Sequence, residues 1–105
     1  MTNKRIVLTT VSSLEESKRI AHAIVERRLA ACVNILPNIE SVYRWEGKVE
    51  KAQEFLLLIK TTTAAFPRLR DAIRELHSYE GPECVTLSID DGIGPYLKWI
   101  DDSVE

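Results

Sequence analysis

Residues 31–45 read Ala31-Cys32-Val33-Asn34-Ile35-Leu36-Pro37-Asn38-Ile39-Glu40-Ser41-Val42-Tyr43-Arg44-Trp45. As far as Leu36 the pattern is that of an extended strand, with Ala31, Val33 and Ile35 on one side and Cys32 and Leu36 on the other. Pro37-Asn38 interrupts it. Proline cannot donate to a ladder, so the break marks a bulge or an edge. Beyond it Ile39, Tyr43 and Trp45 share a new face. Glu46-Gly47-Lys48 is a turn signal, and Val49 to Thr61 return as the next strand. The centre of that strand, Phe55-Leu56-Leu57-Leu58-Ile59, is apolar on both faces, as a central strand should be.

The flanking segments complete the pattern. Ile6 to Val11 reads as a first strand. Ser12 and Ser13, each followed three residues later by Glu15 or Glu16, form two overlapping capping boxes and predict a helix start. Ile20, Ala21 and Ile24 then fall on its core face. A second helix is predicted from Thr63 to His77, with Pro67 in its first turn and a stripe of Phe66, Leu69, Ile73 and Leu76. Glu83 to Ile89 alternates as a fourth strand. Gly94-Pro95 opens a short last helix carrying Tyr96, Leu97, Trp99 and Ile100. The class is therefore α+β, a ferredoxin-like β-α-β-β-α-β unit with a long hairpin between its second and third strands and a short C-terminal helix. Right-handed crossovers place both main helices on one face of the sheet. The strand order 4-1-3-2 follows, with the second and fourth strands as edges. Cys32 and Cys84 then lie roughly 14 Å apart, too far for a disulfide within one chain.

The 105 residues suit a single domain, 1–105. A 15-residue strand from Ala31 to Trp45 is about 50 Å long, whereas a domain of this size is roughly 34 Å across. The hairpin must either curl at Pro37 or leave the body of the domain. Its tip carries Tyr43, Trp45 and Val49, and a projecting apolar edge invites pairing with another chain. A closed oligomer in which each hairpin packs on a neighbour is one solution. Folding of Trp45 back onto its own sheet is the other.

Fourteen basic residues against sixteen acidic ones leave no basic stripe, which argues against a nucleic-acid partner. No apolar run approaches the ~20 residues that span a bilayer. Ile6-Val7-Leu8 is also too short for a leader's apolar core, so a cytoplasmic location is expected. There Cys32 and Cys84 should be free thiols, and as small residues alternating with apolar ones they read as buried hydrophobes.

Five blocks carry a resemblance. Leu29 to Pro37, Ser41 to Val49, Leu57 to Thr61, Glu75 to Glu80 with Pro82-Glu83, and Tyr96 to Ile100 are similar, in order, to the CutA divalent-cation tolerance family. The resemblance covers nearly the whole chain. It implies a homotrimer related in architecture to the PII signalling proteins, and a role linked to copper and other divalent cations, with no assigned reaction. Asn38 stands where the family usually has Gly, and Ser78 where it usually has Pro. Some members resemble copper binders through a Cys ending the first strand and a His-His pair ending the second helix. The matching positions here are Thr9, Leu76 and His77. Weak binding of copper(II) or another divalent cation is implied, with His77 as the surviving metal ligand.

No nucleophile-base arrangement and no glycine-rich phosphate loop is visible, so a non-catalytic protein is expected. At the C-terminus of a helix, His77 also suits a plain capping role. Tyr43, Trp45, Glu46, Lys60, Tyr79 and Glu83, with His77, are the residues expected to converge at a subunit junction. Such a mixture suits an interface salt-bridge cluster, or a small anionic or metal-chelate ligand. A PII-like regulator with a small-molecule or protein partner is the alternative function.

Overall fold

A computed structural model describes all 105 residues. Strands β1 (Lys4–Val11), β2 (Cys32–Trp45), β3 (Lys48–Thr62) and β4 (Val85–Ser88) form one sheet in the order β2-β3-β1-β4. Every neighbouring pair is antiparallel. Helices α1 (Leu14–Glu26) and α2 (Phe66–Leu76) pack on one face, and α3 (Gly94–Ser103) closes one end. This is the predicted ferredoxin-like α+β arrangement.

The core lies between the two long helices and the sheet. Val7 and Val11 of β1 and Leu57 and Ile59 of β3 meet Ile20 and Ile24 of α1 and Leu69, Ala72 and Ile73 of α2. Alternate positions of the same strands point away from the helices. Cross-strand pairing arranges them in three rows: Leu36 with Leu56; Asn34 with Leu58, Leu8 and Val85; Cys32 with Lys60, Ile6 and Leu87. This second face is mostly apolar, yet Val85 and Leu87 on the β4 edge are 48% and 52% exposed. The alternation of β3 expected for a central strand thus buries one face and leaves the other open.

The hairpin is built as its residues dictate. Trp45 pairs with Lys48 across a two-residue turn. Glu46 (φ 48°) and Gly47 (φ 80°) both adopt positive φ, the type I′ geometry whose twist matches the strands. The register shifts between Leu36 and Ile39, where Asn38 sits at φ 59°. Asparagine tolerates that region, as a glycine would. The ladder resumes, and the molecule extends 44 Å along its long axis against 25 and 23 Å across.

Several boundaries differ from expectation. Helix α2 begins at Phe66 rather than Thr63, because the Thr62 hydroxyl accepts the Ala65 N–H and a turn precedes the helix. Strand β4 is four residues long rather than spanning Glu83 to Ile89. Ile89 still exchanges backbone bonds with Thr2 and Lys4, outside the regular ladder. Ser13 caps α1 by accepting the Glu16 N–H at 3.1 Å. The Glu16 carboxylate does not complete the capping box and is engaged with Ser78 instead. Cys32 and Cys84 are free, and each is half-buried rather than buried. Burial pushes the Cys84 thiol up in pKa.

Candidate functional site

The segment after α2 is held by a chain of polar contacts that begins in α1. Glu16 Oε2 accepts the Ser78 N–H at 2.7 Å, and Oε1 accepts the Ser78 hydroxyl at 2.8 Å. Burial opposes ionisation of Glu16, but the two bonds from Ser78, the His77 ring 3.4 Å away and, last, Arg19 outweigh it and hold its carboxyl below the usual value. A proline at position 78 could not donate the first of these bonds.

His77 caps α2 with its side chain fully buried. Its Nδ1 accepts the Tyr79 N–H at 3.0 Å, which requires an unprotonated Nδ1. Nε2 then carries the proton and donates to the Thr10 carbonyl at 2.7 Å. Both nitrogens are thereby engaged, and the ring ties the end of β1 to the 77–79 segment. A metal ion could reach His77 only by displacing one of these bonds. Thr9 points into the helix-side core, where its buried hydroxyl finds no protein partner. Leu76 is half-buried beside the core cluster.

From this anchored segment Tyr79 reaches across to β3, donating its hydroxyl to Glu54 Oε2 at 2.7 Å. Burial and the Glu54 carboxylate push the Tyr79 phenol up to about 12 in pKa, so it stays protonated as the donor. Its ring stands 4.7 Å from that of His77. Tyr79 and Glu54 line a cleft of about 1060 Å³ beside the hairpin. Tyr43, Trp45, Glu80 and Glu83 line it as well.

Of the residues expected to converge, Tyr43, Trp45, Tyr79 and Glu83 do line this cleft, and His77 braces it from behind. Glu46 and Lys60 do not line it. Glu46 forms the hairpin turn, whereas the Lys60 ammonium bonds to Asn34 Oδ1 at 2.9 Å and lies over the Tyr96 ring. The expected anion site therefore lacks its cation: no lysine, arginine or histidine lines the cleft. Sequence reasoning missed Glu54, Glu80 and Ser41. Glu54 had a signal, a lone acid just ahead of the apolar run of β3, on the face shared with Leu56 and Leu58.

The whole chain can now be set beside known proteins. Residues 5–103 match the model of the CutA1 divalent ion tolerance protein family. The chain belongs to the CutA1 family. The divalent-cation tolerance protein CutA of Thermus thermophilus is 53% identical over 92% of this chain and 94% of its own length. The human protein CutA is 48% identical over 80% of this chain, which spans 47% of that longer protein. A solved structure of the periplasmic divalent cation tolerance protein CutA from Archaeoglobus fulgidus superposes with a TM-score of 0.94 at 43% identity, covering 97% of this chain and 99% of that one. CutA relatives are thus named for tolerance of divalent cations. In this chain no three His, Cys, Asp or Glu side chains gather closely enough to hold a metal ion. No helix is long and apolar enough to cross a membrane.

Proposed function

We propose that this chain is the subunit of a homotrimer that serves divalent-cation tolerance in the cytoplasm without catalysing a reaction. The observation that carries the reading is the uncovered apolar surface. The sheet face opposite the helices presents Ile6, Leu8, Leu56, Leu58, Val85 and Leu87, and the projecting hairpin presents Val42, Trp45 and Val49 at 65%, 62% and 68% exposure. A lone subunit would leave these apolar side chains in water, on both faces of the hairpin and on the open sheet face, and such patches mark protein interfaces. Three copies around one axis bury them in a closed assembly, with no free edge for further growth. Two free cysteines suit a reducing compartment, and the excess of acidic side chains is consistent with neither nucleic acid nor an anionic membrane surface as partner.

Copper(II) or another divalent cation is held weakly in this reading. His77 is the candidate imidazole, and it must give up a hydrogen bond to Tyr79 or Thr10 to ligate. Calorimetry with copper(II) in a non-chelating buffer tests this on wild type, His77→Ala and a Cys32/Cys84 double alanine variant. The expected outcome is micromolar or weaker affinity that falls in His77→Ala. Unchanged affinity there, with loss in the cysteine variant, contradicts it.

One feature favours a second reading, a PII-like regulator. The cleft has an aromatic wall of Tyr43, Trp45 and Tyr79, which a bare metal ion does not need and a small organic ligand does. A thermal-shift screen of small organic ligands against the assembled protein distinguishes the two.

A further inference from the structure

The loop between β4 and α3 is held at both ends. On one side the Ile89 carbonyl accepts the Thr2 N–H at 3.2 Å, and the Ile89 N–H donates to the Lys4 carbonyl at 3.1 Å. On the other, the Ile93 carbonyl accepts the Tyr96 and Leu97 N–H groups at 3.0 and 3.1 Å and starts α3. Between these anchors lies Asp91-Gly92, the one place in the chain where an aspartate or asparagine is followed by glycine. Both residues are exposed, and neither belongs to the hairpin or to the sheet. The Gly92 N–H makes no backbone hydrogen bond and donates instead to Asp91 Oδ1 at 2.8 Å. Its nitrogen is thus already held against the side-chain carboxyl of the residue before it.

Two groups kept in contact react without first having to be brought together. Glycine adds no Cβ to crowd its nitrogen. A Cβ at position 92 would also stand 3.2 Å from Leu97 Cδ2, so packing favours the small residue there. Asp71, Asp101 and Asp102 sit inside helices, whose ladders engage the following N–H. We propose that Asp91 isomerises spontaneously in the folded chain, with water as the only co-reactant. The Gly92 nitrogen bonds to Asp91 Cγ, the amide proton and the carboxyl hydroxyl leave as water, and a succinimide ring closes. Water then adds to one ring carbonyl, and the bond from that carbonyl to nitrogen breaks. Opening at Cγ restores aspartate. Opening at the main-chain carbonyl leaves Gly92 joined through Cγ, an isoaspartate of unchanged mass with a free α-carboxylate. One water is lost and one regained, with no oxidant or reductant. The main chain gains a methylene, about 1.5 Å of contour, between two fixed anchors. The distortion falls on the first turn of α3.

The test ages the full chain in neutral buffer made with heavy-oxygen water, beside the same chain in urea and a peptide running from Ser88 to Pro95. Isoaspartate is located by enzymatic carboxyl methylation and by fragmentation mass spectrometry. The folded chain should accumulate it at Asp91 at least as fast as the peptide does, with one heavy oxygen fixed at that residue. Asp71, Asp90, Asp101 and Asp102 should stay unmodified. Asp91→Glu, which would have to close a larger ring, should form none, and Gly92→Ala should slow the reaction severalfold. Asp91→Glu adds nothing next to Leu97 and keeps the test open if Gly92→Ala disturbs the loop. In the purified isoaspartyl chain the α3 amides should exchange hydrogen faster, with those of α1 unchanged. Isoaspartate in the peptide and in urea but not in the folded chain overturns the proposal, because the fold then shields the bond. So does isoaspartate that carries no label, or that forms equally at Asp90 or Asp101.

Discussion

At the scale of single residues, the site depends on side chains whose partners lie far along the chain. Glu16 opens α1 yet fastens Ser78, 62 positions away, and His77 fastens Thr10. Hydrogen bonds to a charged group are worth about 1.5–3 kcal/mol, so Glu16→Gln should destabilise the fold by about that much at neutral pH. The pH dependence follows from the lowered carboxyl. A group whose folded pKa is depressed stabilises fully above its unfolded value, about 4.3, and loses that contribution as pH falls through the lower folded value. Urea titrations of wild type and Glu16→Gln should therefore diverge at pH 7 and converge only as pH falls through the lowered folded pKa of Glu16. A constant difference across that range would separate the stability loss from the carboxylate. Thr9 makes the opposite prediction. Its buried hydroxyl lacks a protein partner, so the isosteric Thr9→Val should be neutral or raise stability by about 1 kcal/mol in the same measurement. A loss above about 1 kcal/mol would reveal a bond to that hydroxyl.

At the scale of elements, the hairpin was the most legible part of the chain and the cleft the least. Periodicity exposes β2 and β3, Pro37-Asn38 marks the shift of register, and Glu46-Gly47 marks the turn, because each is a local property of the backbone. Gly47→Ala places a Cβ at φ 80° and should cost about 1 kcal/mol, read as a lower melting temperature with an unchanged far-UV spectrum. The cleft was legible only in part. Tyr43, Trp45, Tyr79 and Glu83 stand out as aromatic or charged residues near breaks in the pattern. The exclusion of Lys60, however, depends on which rung of β3 it occupies and on Tyr96 arriving over it from α3. The sign of the cleft's charge is thus a tertiary fact. Trp45 and Trp99 offer a contrast between elements. Trp99 already packs on Tyr96 within α3, ring centroids 5.4 Å apart, whereas Trp45 stands 62% exposed near the hairpin tip. Trp45→Ala should loosen the assembly at concentrations where Trp99→Ala leaves it intact, as followed by sedimentation velocity. Dissociation of both at one concentration would remove the tip from the interface.

At the scale of the whole molecule, α1 and α2 cover one face of the sheet and leave the other apolar and open, while α3 fastens only one end. That end is held by Lys4 to Asp101 at 2.6 Å and by Arg28 and Arg68 to the last residues. The Lys4 ammonium holds the Asp101 carboxyl below its usual pKa. The sequence pointed to an exposed tip but not to an exposed face, because a strand apolar on both sides reads alike whether a helix or a second subunit covers it. In the proposed assembly a neighbour on that face would cover Leu8, Leu58 and Val85, which share one row, and Ile6 and Leu87 in the next. Leu58→Glu, at the centre of the row, should therefore produce a soluble, folded chain of lower mass rather than an unfolded one. Sedimentation equilibrium of the wild-type chain at micromolar concentration tests the account most directly. It predicts one species of three times the 11.9 kDa chain mass, unchanged on tenfold dilution, whereas a single species of 11.9 kDa would contradict it.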